Sequence, residues 1–371
     1  MSSGRSGDRG PRETMTAQSF VDLMALERLE NVQISYSRTS ELESLEAFQS
    51  KAVPFNPGEG ARAFGGHVYA QSAYAASKTV GKGFVVHSMT GSFILGGRLD
   101  IPFTYMVRRL RDGFMYCTRS VETRQDGQVC FTGVCSFKRG EGTKSFNHQP
   151  RTPSDRFGRI LSSKSPDDRA VSPEVDAEWW AEVIREADMT EREFPGVDVR
   201  KIDMEEHNKS KDVQEHPEKY RQLTQYRLRG SPDEDPNASL SQIMAKDRVG
   251  EYDNLYACAH MYSSDKNSVM LIPRALGLQH WSDITSLTLM VVIHQHSDAL
   301  RMIDWGNSSP ADGNSSEIPM KWFFQEGWTP RSAENRGLHE SYLWNADGTL
   351  VATTLQDSML RIHRPKRPAN L

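Results

Sequence analysis

A chain of 371 residues with 37% hydrophobic and 25% charged side chains has the balance of an ordinary globular protein, long enough for two domains or one large one. The 45 Lys and Arg against 49 Asp and Glu leave a net charge of −4, which excludes the basic footprint of a nucleic-acid binder. No apolar run approaches the roughly 18 residues that would span a membrane. Cys117, Cys130, Cys135 and Cys258 lack metal-type spacing and suit a reducing compartment, where cysteine acts as a small buried hydrophobe.

Residues 1–18 begin "MSSGRSGDRGPRET", with no apolar core of a secretory signal, and are expected to be a disordered tail. "SFVDLMALERLENVQ" (19–33) has helical apolar spacing. The Pro/Gly loop "FNPGEGARAF" then leads through Gly65-Gly66 into a helix rich in small residues. The glycine pair fits either a phosphate cradle or close helix–sheet packing. Residues 84–94 read as a strand. Residues 102–139 hold three more, broken at Asp112-Gly113 and at Asp126-Gly127, a strong hairpin signal. The first unit therefore spans 19–145.

Residues 146–196 are polar and Pro-bearing, a linker or surface excursion with one amphipathic helix near its end. The second unit, 197–365, repeats the pattern. "GVDVRKIDM" and "KYRQLTQYRLRG" are strands, "PDEDPNASLSQ" a loop, 255–270 a helix and 284–296 a strand. "KWFFQEGWTP", "RGLHESYLW" and "DGTLVATTLQDSMLRI" complete a second meander. The tail at 366–371 ends Ala369-Asn370-Leu371, close to the peroxisomal Ser-Lys-Leu address, so the expected compartment is peroxisomal or cytoplasmic.

The two units overlay at Asp126-Gly127 and Asp347-Gly348, which sets Cys135 opposite Gln356. Alternation gives the first strand an apolar core face of Val129, Phe131, Gly133, Cys135 and Phe137. Its copy offers Leu350, Ala352, Thr354, Gln356 and Ser358. A buried primary amide must find partners for two donors and an acceptor. Gln356 is therefore either a site residue or a glutamine satisfied by nearby backbone.

"FGGHVYAQSAYAA", "VHSMTGSFILGG", "YMVRRLRDGFMYCTRSVETRQDGQVCFTGVCSFKR", "YACAHMYSSDKN" and "RGLHESYLWNADGTLVATTLQDSMLR" together resemble acyl-CoA thioesterases of the bacterial thioesterase II and peroxisomal type. The likeness covers about 20–145 and 195–363. It implies an α+β double hotdog, with two antiparallel sheets each wrapped around a central helix and joined edge to edge. It also implies acyl-CoA as substrate, no cofactor and a homo-oligomer, dimer or tetramer. The family's water-holding residues, an Asp after the second helix and a Gln on the last strand, fall on Asp265 and Gln356. Its hydroxyl residue lies in a run such as Met-Val-Ser-Leu-Asp-His-Ser. Aligned on Met290-Val291 or on His296-Ser297, that position reads Val292 or Ile293, with Thr288 the candidate substitute. Gly65, Gly66 and His67 fall where substrate is expected, although the family tends to have Gln for His67.

Loss of the hydroxyl would imply weakened or specialised hydrolysis, and a polar insertion at 303–319 also departs from the family. Two other readings remain open at this point: a double hotdog that only binds acyl-CoA or a partner, and a hotdog hydratase or dehydratase using Asp265 with His294. His294 and His296 share a strand face, but two ligands without a third make no metal site.

Overall fold

The computed structural model describes residues 18–35, 42–58, 60–141, 146–186, 192–306 and 318–362. The expected N-terminal tail, most of the 303–319 insertion and Ala369-Asn370-Leu371 lie outside them.

The helix expected over 19–33 stops after one turn. Ser19 accepts the Asp22 N–H and caps α1 (Phe20–Met24), which buries Phe20, Leu23 and Met24. Beyond it Glu27, Arg28, Glu30 and Asn31 have no apolar face to bury. The chain instead forms β1 (Leu26–Arg28) and β2 (Val32–Ser35), both laddered on β3 (Leu42–Ser50). The first unit continues with α2 (Gly65–Ser77), β4 (Phe84–Phe93), β5 (Thr104–Asp112), β6 (Tyr116–Gln125) and β7 (Gln128–Arg139). Asp126 (φ 47°) and Gly127 (φ 76°) both occupy the left-handed region that a tight hairpin turn requires.

The linker carries two helices. In α3 (Pro153–Leu161), Thr152 and Asp155 cap each other's backbone and proline takes the first turn, a start signal readable in "TPSD". The second is α4 (Glu178–Glu186). Next come β8 (Val197–Ile202), the short α5 (Glu205–Asn208) and α6 (Lys211–Glu215), then β9 (Gln222–Leu228). The stretch read as loop at 232–242 ends inside α7 (Leu240–Arg248), which Ser239 and Gln242 cap in the same reciprocal way.

The helix expected at 255–270 is two helices, α8 (Asp253–Ser264) and α9 (Ser268–Ala275). They are separated by Asp265 and by Asn267, whose φ of 63° no continuous helix allows. The rest is β10 (Asp283–Ile293), β11 (Phe323–Trp328), β12 (Ser332–Ala333), β13 (Arg336–Trp344) and β14 (Leu350–Arg361).

One antiparallel sheet runs β1-β3-β5-β6-β7-β4-β10-β14-β13-β11-β9-β8, with β2 on β3 and β12 on β13. Its two halves join at the β4–β10 pair, from Thr288↔Ser92 to Val292↔Ser88. Helices α2 and α8 fill the inner face within one core. Both are apolar or small nearly all round, as fully buried helices are: Ala70, Ala73, Ala75 and Ala76 in one, Ala257, Cys258 and Ala259 in the other, all 0% exposed.

Candidate active site

The end of α8 places Asp265 against the start of α2. The Gly66 backbone N–H, a first-turn amide with no acceptor in its own helix, lies on the side of the Asp265 carboxylate and favours its charged form. The approach is close. A Cβ on Gly66 would lie 2.9 Å from Asp265 Cβ and 2.7 Å from the Phe64 ring; one on Gly65 would lie 3.4 Å from Asp265 Oδ2. At Gly66 only glycine lets the helix and the Asp265 side chain come this near.

Gln356 reaches the same carboxylate from β14. Its Nε2 donates to Asp265 Oδ1 at 2.7 Å and to Ser286 Oγ at 2.6 Å. Ser268, in the first turn of α9, donates its hydroxyl to Asp265 Oδ1 at 2.9 Å. Asp265 is 5% exposed and Gln356 fully buried. Burial pushes the Asp265 carboxyl up to about 6, against the opposing pull of the Ser268, Gln356 and Gly66 donors.

The structure thus brings Asp265, Gln356, Gly65 and Gly66 together. It does not bring Thr288 or Val292 to Gln356. Leu289 is the residue opposite Gln356, Thr288 pairs with Asp357, and Val292 pairs with Thr353. The hydroxyl beside the amide belongs to Ser286. A bulge at Leu287, between the Ser286↔Ser358 and Thr288↔Asp357 pairs, shifts the alternation so that Ser286 and Leu289 share the inner face. Period-2 counting back from Leu289 puts Ser286 outside, which hid it. The usable signal was the Ser286-Leu287 pair, which has the same two residues as the Ser-Leu within the family run.

His67 turns its ring away from the carboxylate. It is 1% exposed, its Nε2 lies 3.0 Å from the Leu23 carbonyl, and burial holds it neutral, down at about 4. His294 is exposed and bonds Thr353 Oγ1 at 2.8 Å; His296 lies 3.2 Å from the Val86 carbonyl. Among the described residues, no three His, Cys, Asp or Glu side chains are grouped to hold a metal.

The first unit has the same geometry without the chemistry. β4 bulges between Val86 and Ser88 as β10 does between Ser286 and Thr288, and Cys135 pairs with Met89 as Gln356 pairs with Leu289. The counterparts of Asp265, Ser286 and Gln356 are therefore Lys78, which follows α2, then Val86 and Cys135.

The linker clamps the turn that carries Asp265. Lys266, 4% exposed, donates its Nζ to the carbonyls of Pro173 at 2.6 Å and Glu174 at 2.9 Å. Burial lowers this ammonium to about 7. Asn267 Nδ2 donates to Ser172 Oγ at 3.2 Å.

Two half-sheets wrapped on two helices, with one buried carboxylate–amide–hydroxyl cluster where they meet, define a double-hotdog protein. Residues 54–138 match the family model described as the acyl-CoA thioesterase N-terminal domain. The chain is 25% identical over 303 residues, 81% of each protein, to acyl-coenzyme A thioesterase 8 of Homo sapiens. An acyl-CoA thioesterase II of Mycobacterium marinum has a similar structure (TM-score 0.56, 21% identity), covering 94% of this chain and 99% of that one. A hot dog fold protein of Alicyclobacillus acidocaldarius does too, with a TM-score of 0.53 at 16% identity over 94% and 98%. These matches show a double-hotdog chain that is similar to acyl-CoA thioesterases of the thioesterase II type.

Proposed function

We propose that this protein hydrolyses acyl-CoA to the free acid and CoA, with Asp265 as general base and Gln356 and Ser286 positioning the attacking water. The observation that carries the reading is the bond from Gln356 Nε2 to Asp265 Oδ1, in a buried cluster that the first unit lacks. Thioester hydrolysis needs a water aimed at the carbonyl carbon and a group to take its proton. The thiolate leaves readily because thiol pKa values lie near about 8.5. A carboxylate raised to about 6 is basic enough and still ionised at pH 7. Water attacks, Asp265 takes its proton, and the tetrahedral oxyanion collapses with loss of CoA thiolate. The other first-turn amides of α2, at Gly65 and His67, supply donors on the substrate side, as helix N-termini do for developing anions. The expectation of weakened or specialised hydrolysis rested on a missing hydroxyl, and Ser286 supplies one. Assembly into a dimer or tetramer is part of the same proposal.

The test is thiol release from a panel of acyl-CoAs of graded length, read with a thiol-trapping dye. Asp265→Ala is expected to abolish turnover and Gln356→Ala to lower it about 10²–10³-fold, the typical worth of one buried transition-state donor. Turnover that is absent in the native protein, or unchanged in both variants, overturns the reading.

A further inference from the structure

Gln356 is fixed at one end only. Its Nε2 must face Asp265, because a carboxylate accepts and cannot donate. This leaves Oε1 pointing away, fully buried and without a hydrogen-bond partner among the described residues. The residue directly across the ladder is His339 on β13. It is 1% exposed, on the same inner face, and its Nδ1 is also buried without a partner among the described residues. The opposite edge of the ring rests on β11: an added Cβ on Gly327 would meet His339 Nε2 at 3.0 Å and Cδ2 at 3.6 Å. The Nδ1 edge therefore faces β14 and Gln356. A fully buried polar atom without a partner is costly, so an acceptor and a ring nitrogen both left so on facing strands ask for a reason.

We propose that His339 is a positioning residue whose Nδ1–H holds Gln356 Oε1, directly or across one water, and so keeps the amide NH2 turned to Asp265 and Ser286. The imidazole suits the task because burial holds it neutral, at about 3, leaving it a fixed donor rather than a titrating charge. The inference rests on the thioesterase reading and adds a residue to it. The first unit places Arg119 at the equivalent position across from Cys135, where its guanidinium turns to Thr79 and Asp112 instead.

The experiment compares His339→Leu, which keeps the volume, and His339→Asn, which keeps a donor near Nδ1, with the native enzyme. In His339→Leu, kcat is expected to fall about 10–100-fold with KM within about twofold. The acidic limb of the kcat/KM profile should also move upward, because a released amide no longer lowers the Asp265 pKa. His339→Asn should recover most of kcat and return the limb. A native-like kcat and limb in a folded His339→Leu overturn the inference while leaving the thioesterase reading intact. So does a loss of kcat that Asn fails to rescue, which would mark His339 as packing. A native protein inactive on every acyl-CoA overturns the underlying reading instead.

Discussion

Replacing Asp265 with Asn should stabilise the protein at neutral pH while removing its base. Burial raises this carboxyl from 3.8 to about 6, so the native state binds more protons than the unfolded chain between those values. Stability contributed by the protonated group is present below about pH 4 and is lost as pH rises through about 6. A rise of that size corresponds to about 3 kcal/mol, at about 1.4 kcal/mol per pH unit. Asn has no proton to lose, so its own cost or gain is the same at every pH. Only the pH-dependent part survives in the difference between the two proteins. With an unfolding entropy of about 2.1 cal/mol/K per residue, a chain of 371 residues converts 3 kcal/mol into about 4 °C. Differential scanning calorimetry from pH 4 to 8 should show the Asn variant gaining about 4 °C on the native protein between pH 4 and 7, then no more. A difference that is flat across this range, or that shrinks with pH, would refute the claim that the folded protein buries Asp265 at a cost.

Turnover should fall as pH drops through about 6, the range to which burial raises the Asp265 carboxyl, and kcat/KM profiles from pH 5 to 8 would show it. Ser286→Ala should cut kcat about 10–100-fold, whereas Thr288→Ala and Val292→Thr should leave it within about twofold, because of these three residues it is Ser286 that bonds Gln356. Gly66→Ala sets a methyl 2.9 Å from Asp265 Cβ, and kcat/KM should drop at least about tenfold with the fold retained by circular dichroism. Lys266→Met strips the Pro173 and Glu174 carbonyls of their shared donor, so amides of residues 172–176 should lose hydrogen-exchange protection first.

Much of this architecture could be read from the chain because its signals are local. Asp126-Gly127 fixes its hairpin through two left-handed backbone torsions, and the small-residue helices declare their burial through composition. Gln356 stood out for the same reason: its strand has an earlier copy, with Cys135 at the same place. Two of the misses depended on partners distant in sequence. The strand β3 gives β1 and β2 their hydrogen bonds, so residues that look helical beyond Met24 are extended. The break at Asp265 is imposed by α2 and by the linker carbonyls that hold Lys266. Ser286 was hidden by one extra residue at Leu287, which reverses every alternation count made across it. The Thr152–Asp155 box and the Ser239–Gln242 box were local and simply passed over.

The central claim is that Asp265 activates water and does not itself attack the thioester. Single turnover in H2¹⁸O, with enzyme in excess over acyl-CoA, separates the two. Direct attack by the water held at Asp265 and Gln356 puts ¹⁸O into the released acid in the first turnover, together with one CoA thiol. Label found instead in the Asp265 carboxylate, with unlabelled acid, would mean a covalent anhydride and contradict the account.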